Sequence, residues 1–227
     1  MSTFEPEPLA VRIGRAHQPL RRAVYDEVQR RIVEGEMEPG ERIYEDQLAH
    51  ELEVSRNPVR EALQALHLEG FVDLEPRRGA RVATISEQRA TDLFELREAL
   101  EGMVARLAAQ RCTDEELLLL RQAIKRGVDA VRSGDLARLP ALNTEFHGLL
   151  CAAAHNAMLA DNVERMSQLI KWVYTKRVTQ RGTTSWTEHQ RIVDAIADRD
   201  PERASAEARA HIANARVAYL HDQLVAD

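Results

Sequence analysis

"VSRNPVREAL", Val54–Leu63, places a proline inside a segment whose later residues have helical spacing. In a helix interior, proline removes a hydrogen bond and clashes with the preceding turn. In the first turn it does no such harm, because those N–H groups have no partner within the helix. With Ser55 as N-cap, Pro58 falls in that first turn, so the segment starts a helix. Val59, Ala62, Leu63 and Leu66 then form an apolar stripe, and Gly70 ends it. Arg56 and Arg60 stand four apart and share a face.

On the N-terminal side, residues 18–35 carry Leu20, Val24, Val28 and Ile32 at four-residue spacing, an amphipathic helix stopped by Gly35. "EPG", Glu38–Gly40, marks a tight turn, and residues 44–54 give a short helix with Leu48, Ala49 and Leu52 inward. On the C-terminal side, Phe71, Val72 and Leu74, then Val82 and Ile85, flank a polar "EPRRGAR" loop. That pattern predicts a β-hairpin, the one good strand signal in the chain. Helix, short helix, turn, helix and hairpin is the order of a winged helix-turn-helix. In that arrangement the second helix of the pair enters the major groove, and its first residues meet the bases. Arginine's fork fits the guanine edge and also fits phosphate. Arg77, Arg78 and Arg81 fall on the predicted wing.

The character changes near Thr84–Glu87. Residues 1–85 are read as the winged helix-turn-helix and residues 86–227 as a helical domain. Six helices are expected there, at 87–111, 113–133, 137–155, 158–180, 186–198 and 201–224, divided by short polar breaks. Thr113 before Asp114–Glu116 is an N-cap followed by acids, and Pro201 stands early in the last helix. The fold class is mainly α: a winged helix-turn-helix, then an all-helical bundle of about six helices.

Composition narrows the function. The net charge of -6 excludes DNA binding through a global basic field. Residues 1–85 hold twelve arginines and no lysine against sixteen acids, so that part is itself net acidic. Between Ser55 and Arg81 there are five arginines and four acids, with the arginines at the helix start and the wing. DNA contact must therefore come from a few placed arginines; the plainer reading is a solvated arginine face. Cys112 and Cys151 form no CxxC and read as free thiols in a reducing cytoplasm. No apolar run approaches the roughly 18 residues of a membrane span. The N-terminal "MSTFEPEPLAVRIG" has acids and no apolar core, so it reads as a loose arm and not a signal peptide.

The segment "GEMEPGERIYEDQLAHELEVSRNPVREALQALHLEGFVDLEPRRGARV" closely resembles the DNA-binding domain of GntR-family bacterial transcription regulators. About fifty residues match with correct spacing. The resemblance implies a homodimer on a near-palindromic double-stranded operator. It places Ser55, Arg56, Asn57, Pro58 and Arg60 at the DNA, with Arg56 and Arg60 on bases or phosphates. It assigns the Arg78–Gly79 wing tip to the minor groove. Asp46 is a departure, since some relatives carry a DNA-touching arginine there.

The helical part carries three histidines on apolar stripes. His147 follows Asn143 by one turn, His189 lies with Ile192, Val193 and Ile196, and His211 with Ala204, Ala208 and Ala215. All three point toward the bundle interior, and the small alanines leave room for a cavity. A lone inward histidine is usually a satisfied core residue. Three on separate helices also suit a shared divalent transition metal, zinc or nickel first. The Glu-x-x-His pairs of a di-iron bundle are absent, and no general base is evident on the histidine face, which argues against an enzyme. A bundle merely braced by metal, or metal-free, is a further reading.

Arg97–Glu101 as "RxxLE", Asn143–His147 as "N-x-x-F-H" and the two later histidines resemble the C-terminal ligand-sensing (FCD) domain of FadR-type GntR regulators. Six helices resemble the VanR-like subgroup. The resemblance implies a metal held by His147, His189 and His211, with Asn143 where Asp is common, and a small carboxylate effector on that metal. Arg97 would meet the effector carboxylate, or form a surface ion pair with Glu101. A cytoplasmic, DNA-binding regulator follows.

Overall fold

The computed structural model describes residues 17–75, 79–174 and 182–226. They fall into two compact units divided between Ala83 and Thr84.

In the first unit, α1 spans His17–Glu34, β1 Arg42–Ile43, α2 Glu45–Glu51, α3 Arg56–Glu69, β2 Val72–Glu75 and β3 Gly79–Val82. Val24, Val28 and Ile32 of α1 are buried as their spacing requires, while Leu20 at the helix start is exposed. Gly35 has φ +79, and Glu36 N–H donates back to the Arg31 carbonyl at 2.8 Å, so the stop is a left-handed glycine. α3 begins after Ser55, which has the extended backbone of an N-cap but whose side chain makes no capping bond. Its stripe of Val59, Ala62, Leu63 and Leu66 packs on α1, and Gly70 at φ 90 ends it. The hairpin pairs Val72 with Val82 and Glu75 with Gly79. β1 was not legible in the sequence. It is two residues long and exists because β3 offers it an edge, giving the order β1-β3-β2.

The second unit holds α4 Glu87–Arg111, α5 Asp114–Ser133, a short 3-10 turn at Leu136–Arg138, α6 Leu139–Ala153, α7 Ala157–Tyr174, α8 Gly182–Ala197 and α9 Pro201–Ala226. α4 runs along α9 and also meets α6, α7 and α8. Thr113 and Glu116 form a reciprocal capping box at the start of α5. The expected end of α7, residues 175–180, lies outside the described residues, as do the N-terminal arm and the wing tip. α8 starts at Gly182, four residues before the expected position. The polar "GTT" reads as a break, but Gly182 is buried where a Cβ would stand 2.8 Å from the Leu139 side chain. Phe146, Leu120, Leu150, Ile192 and Ile196 form the centre of the core. Gly127 lies so close to the Trp186 ring that a Cβ would fall 2.2 Å from it.

Candidate nucleic-acid interface and metal centre

Ser55, Arg56, Asn57 and Arg60 are all exposed at the start of α3. Pro58 is the exception. Its ring is buried, so it serves the helix start and the core instead of presenting a surface. Arg56 Nε stands 2.5 Å from Asp46 Oδ1, and Arg60 Nη2 stands 3.0 Å from Glu45 Oε2. Both acids belong to the first turn of α2. The two arginines are thus steered by the partner helix of the pair. Gly79 opens β3, exposed and at φ +86, a conformation that disfavours any side chain. Arg77 and Arg78 lie outside the described residues. Arg81, read as part of the wing, is partly buried and donates to the Gly40 carbonyl at 3.1 Å, so it braces the sheet.

In the second unit the three histidines converge. His147 comes from α6, His189 from α8 and His211 from α9, and all three are buried. Each offers one ring nitrogen within 4.8 Å of the others. Nε2 of His189 and Nε2 of His211 are 3.2 Å apart. Phe146 stacks on His189 with ring centroids 4.2 Å apart and fixes its plane.

Two carboxylates complete the cluster, and the sequence reading assigned neither. Glu101 of α4 accepts from Arg97 Nε with one oxygen and from His147 Nδ1 at 3.0 Å with the other. Glu188 of α8 accepts from His211 Nδ1 at 2.7 Å and from the Asn214 amide at 2.9 Å. Both are buried against the histidine rings, so the histidine face does carry carboxylates where the sequence showed no evident general base. The Arg97–Glu101 pair is likewise buried and not at the surface. Burial alone would raise the Glu101 carboxyl's pKa. The Arg97 guanidinium and the His147 ring outweigh it and hold the group well below the usual carboxylate range. Burial pushes the His211 imidazole down to about 4, against the opposite pull of Glu188.

These bonds fix the tautomers. A carboxylate only accepts, so His211 donates through Nδ1 and, being neutral, turns a bare Nε2 inward. The 3.2 Å contact then needs a proton on His189 Nε2, and a metal between the two rings would take that proton's place. His147 likewise donates through Nδ1 to Glu101, and among the described residues its buried Nε2 has no hydrogen-bond partner. A buried polar atom without a partner is costly unless something fills the role. Two imidazole nitrogens on one tetrahedral zinc stand about 3.3 Å apart, close to the spacing of the His189–His211 pair. Metal-bound histidines characteristically rest the other nitrogen on a carboxylate. The donor set therefore fits a divalent transition metal.

A cavity of about 760 Å³ opens beside the cluster, lined among others by Arg97, Asn143, His147, Cys151 and His211. Asn143, His147 and Cys151 follow one another at single-turn intervals along α6. Burial pushes the Cys151 thiol up to about 12, so it lines the wall as an inert group. Cys112 is buried and also free.

Comparison with known proteins identifies both units. Residues 20–82 match the family model "Bacterial regulatory proteins, gntR family", and residues 92–214 match the FCD domain. The chain is 35% identical over 179 residues to the Nta operon transcriptional regulator of Aminobacter aminovorans, covering 77% of this chain and 82% of that protein. It is 30% identical over 190 residues to an uncharacterized HTH-type transcriptional regulator, YdhC, of Bacillus subtilis (strain 168), covering 82% and 85%. Among solved structures, E. coli McbR/YncC shares the fold with a TM-score of 0.71 at 21% identity, covering 90% of this chain and 98% of that one. The families and relatives are regulators and not enzymes. Among the described residues, no helix is long and apolar enough to cross a membrane. The chain belongs to the gntR family of bacterial regulatory proteins and is a DNA-binding transcription regulator with an FCD effector-sensing domain.

Proposed function

We propose that this regulator's operator affinity is set by a small carboxylic acid bound at a divalent metal in the helical unit. His147, His189 and His211 hold the metal, zinc or nickel, with Asn143 lending at most a neutral oxygen. The observation that carries this reading is the buried Nε2 of His147, without a partner among the described residues, on a ring packed against two further imidazoles. When bound, the metal supplies a Lewis-acidic position for a carboxylate oxygen. Glu101 and Glu188 orient the rings and keep their Nδ1 protons out of the ligand positions. Arg97 lines the same cavity and would receive the second carboxylate oxygen. A metal that only braced three helices would need no 760 Å³ cavity beside it, which favours a sensor. The acid acts only if it binds one state of the protein more tightly than the other.

His147→Ala is expected to abolish metal retention and blunt the acid response, while the metal-free protein still binds operator. Elemental content of the purified variant decides this, and metal at the wild-type level would refute the site.

At the other end, we infer that a homodimer in the cytoplasm sets two α3 helices into a near-palindromic operator. Arg56 and Arg60 read bases or grip phosphates, with Ser55 and Asn57 beside them, and the Arg78–Gly79 wing tip meets the minor groove. Arg56→Ala should weaken specific binding by about 1–3 kcal/mol. Gel-shift titration against operator and scrambled DNA measures it, and unchanged operator affinity would mean the reading helix is misplaced.

A further inference from the structure

The donor set has an electrostatic peculiarity. Every atom turned toward the shared centre is an imidazole nitrogen, and among the described residues no carboxylate oxygen joins the three at that spacing. The two buried carboxylates are already engaged on the outer nitrogens of His147 and His211. Glu101 is further occupied by Arg97, which offsets its charge. Asn143, one turn before His147 on the cavity wall, brings an amide and no charge. Asp161 and Glu164 also line the cavity but are exposed on α7, where water and salt screen them. Lys171, also exposed on that wall, adds a positive charge.

A divalent cation among neutral donors keeps part of its charge uncompensated, because the carboxylate of Glu188 reaches it only through the His211 ring and that of Glu101 is shared with Arg97. It therefore binds less tightly than it would with a charged fourth ligand, and it attracts an anion. We propose that Asn143 makes the metal and the carboxylate mutually dependent ligands: the cavity holds its metal loosely until an acid supplies the anionic oxygen that no side chain there provides. By linkage the dependence is reciprocal, so metal tightens acid by the same factor that acid tightens metal. The regulator then responds most to the joint presence of metal and acid, and each is held about tenfold less tightly without the other. This rests on the assignment of the three histidines as ligands.

The test uses the full-length protein stripped of metal, zinc as the metal and acetate as the probe anion, with zinc affinity read by competition against a chromophoric chelator. Acetate is chosen because it brings a carboxylate and little else, and binds free zinc weakly. In the wild type, acetate is expected to tighten zinc about tenfold. Asn143→Asp changes neither size nor shape at a half-exposed position, and a thermal melt checks that it folds. It should bind zinc about tenfold tighter without acetate, because the side chain now carries the charge, and gain little when acetate is added. A wild type indifferent to acetate overturns the proposal, as does an Asn143→Asp protein no tighter than wild type in acetate-free buffer. His147→Ala, run alongside, separates the two failures. If it still binds zinc at wild-type affinity, the ligand assignment itself is wrong; if it loses zinc while acetate has no effect on the wild type, only the mutual dependence is wrong.

Discussion

Glu101→Ala is expected to destabilise the helical unit by about 3–5 kcal/mol, the range seen when one member of a buried ion pair is removed. Glu101 is 3% exposed and serves two donors at once, the Arg97 guanidinium and the His147 ring. Alanine would leave Arg97, itself 8% exposed, charged and uncompensated. It would also release the His147 ring from the bond that sets its tautomer. Glu101→Gln keeps the shape and one acceptor but loses the charge, so it should fall between alanine and wild type. Both tryptophans of the chain, Trp172 and Trp186, belong to the helical unit. Urea unfolding followed by their fluorescence therefore reports that unit alone. A loss under about 1 kcal/mol for alanine, the range of an exposed pair, would show that the buried pair contributes no more than a surface one.

Phe146→Ala should cost a similar amount, about 3–5 kcal/mol, through lost burial and the cavity left behind. The ring is fully buried, stacks on His189 and meets Trp186 edge-on at 6.2 Å. Its loss leaves the His189 ring without the face that holds its plane, so zinc affinity should fall together with stability. Phe146→Leu fills most of the space and should lose less of both. Circular dichroism melts serve here, because the substitution sits against a fluorophore. A Phe146→Ala protein as stable as wild type would mean the core collapses around the gap.

Local signals made most of the fold legible. Gly35, Gly70 and the Thr113–Glu116 box act within a few residues of themselves, and helical spacing identified the buried face of α3. β1 was not legible, because two residues carry no period and its existence depends on a strand some forty positions away. The start of α8 was hidden for a similar reason, since the close approach of Leu139 to Gly182 is a tertiary fact. The histidines could be read because they stand on apolar stripes. Glu101 and Glu188 could not be read so readily, since a carboxylate on a helix is usually solvated. A signal was nonetheless present. Glu101 follows Phe94 and precedes Ala105 and Ala108 on the buried face of α4, and Glu188 precedes Ile192 and Ile196 on that of α8. An acid in register with the core is a request for a buried donor. Pro58 shows the reverse: its place in a segment read as DNA-facing concealed an inward ring.

The pairs Arg56–Asp46 and Arg60–Glu45 bear on how such a head discriminates among sequences. A bare surface arginine meeting DNA displaces mobile cations from the phosphates, and its affinity falls steeply with added salt. If Arg56 and Arg60 meet DNA as proposed, each first leaves a carboxylate, and that carboxylate must then tolerate the phosphates nearby. The exchange sets a threshold: random duplex offers little more than the acid already did, whereas a guanine edge gives two directed hydrogen bonds. On that proposal an acidic α2 would lower loitering on the bulk of the genome, and a net negative protein could search it without being trapped.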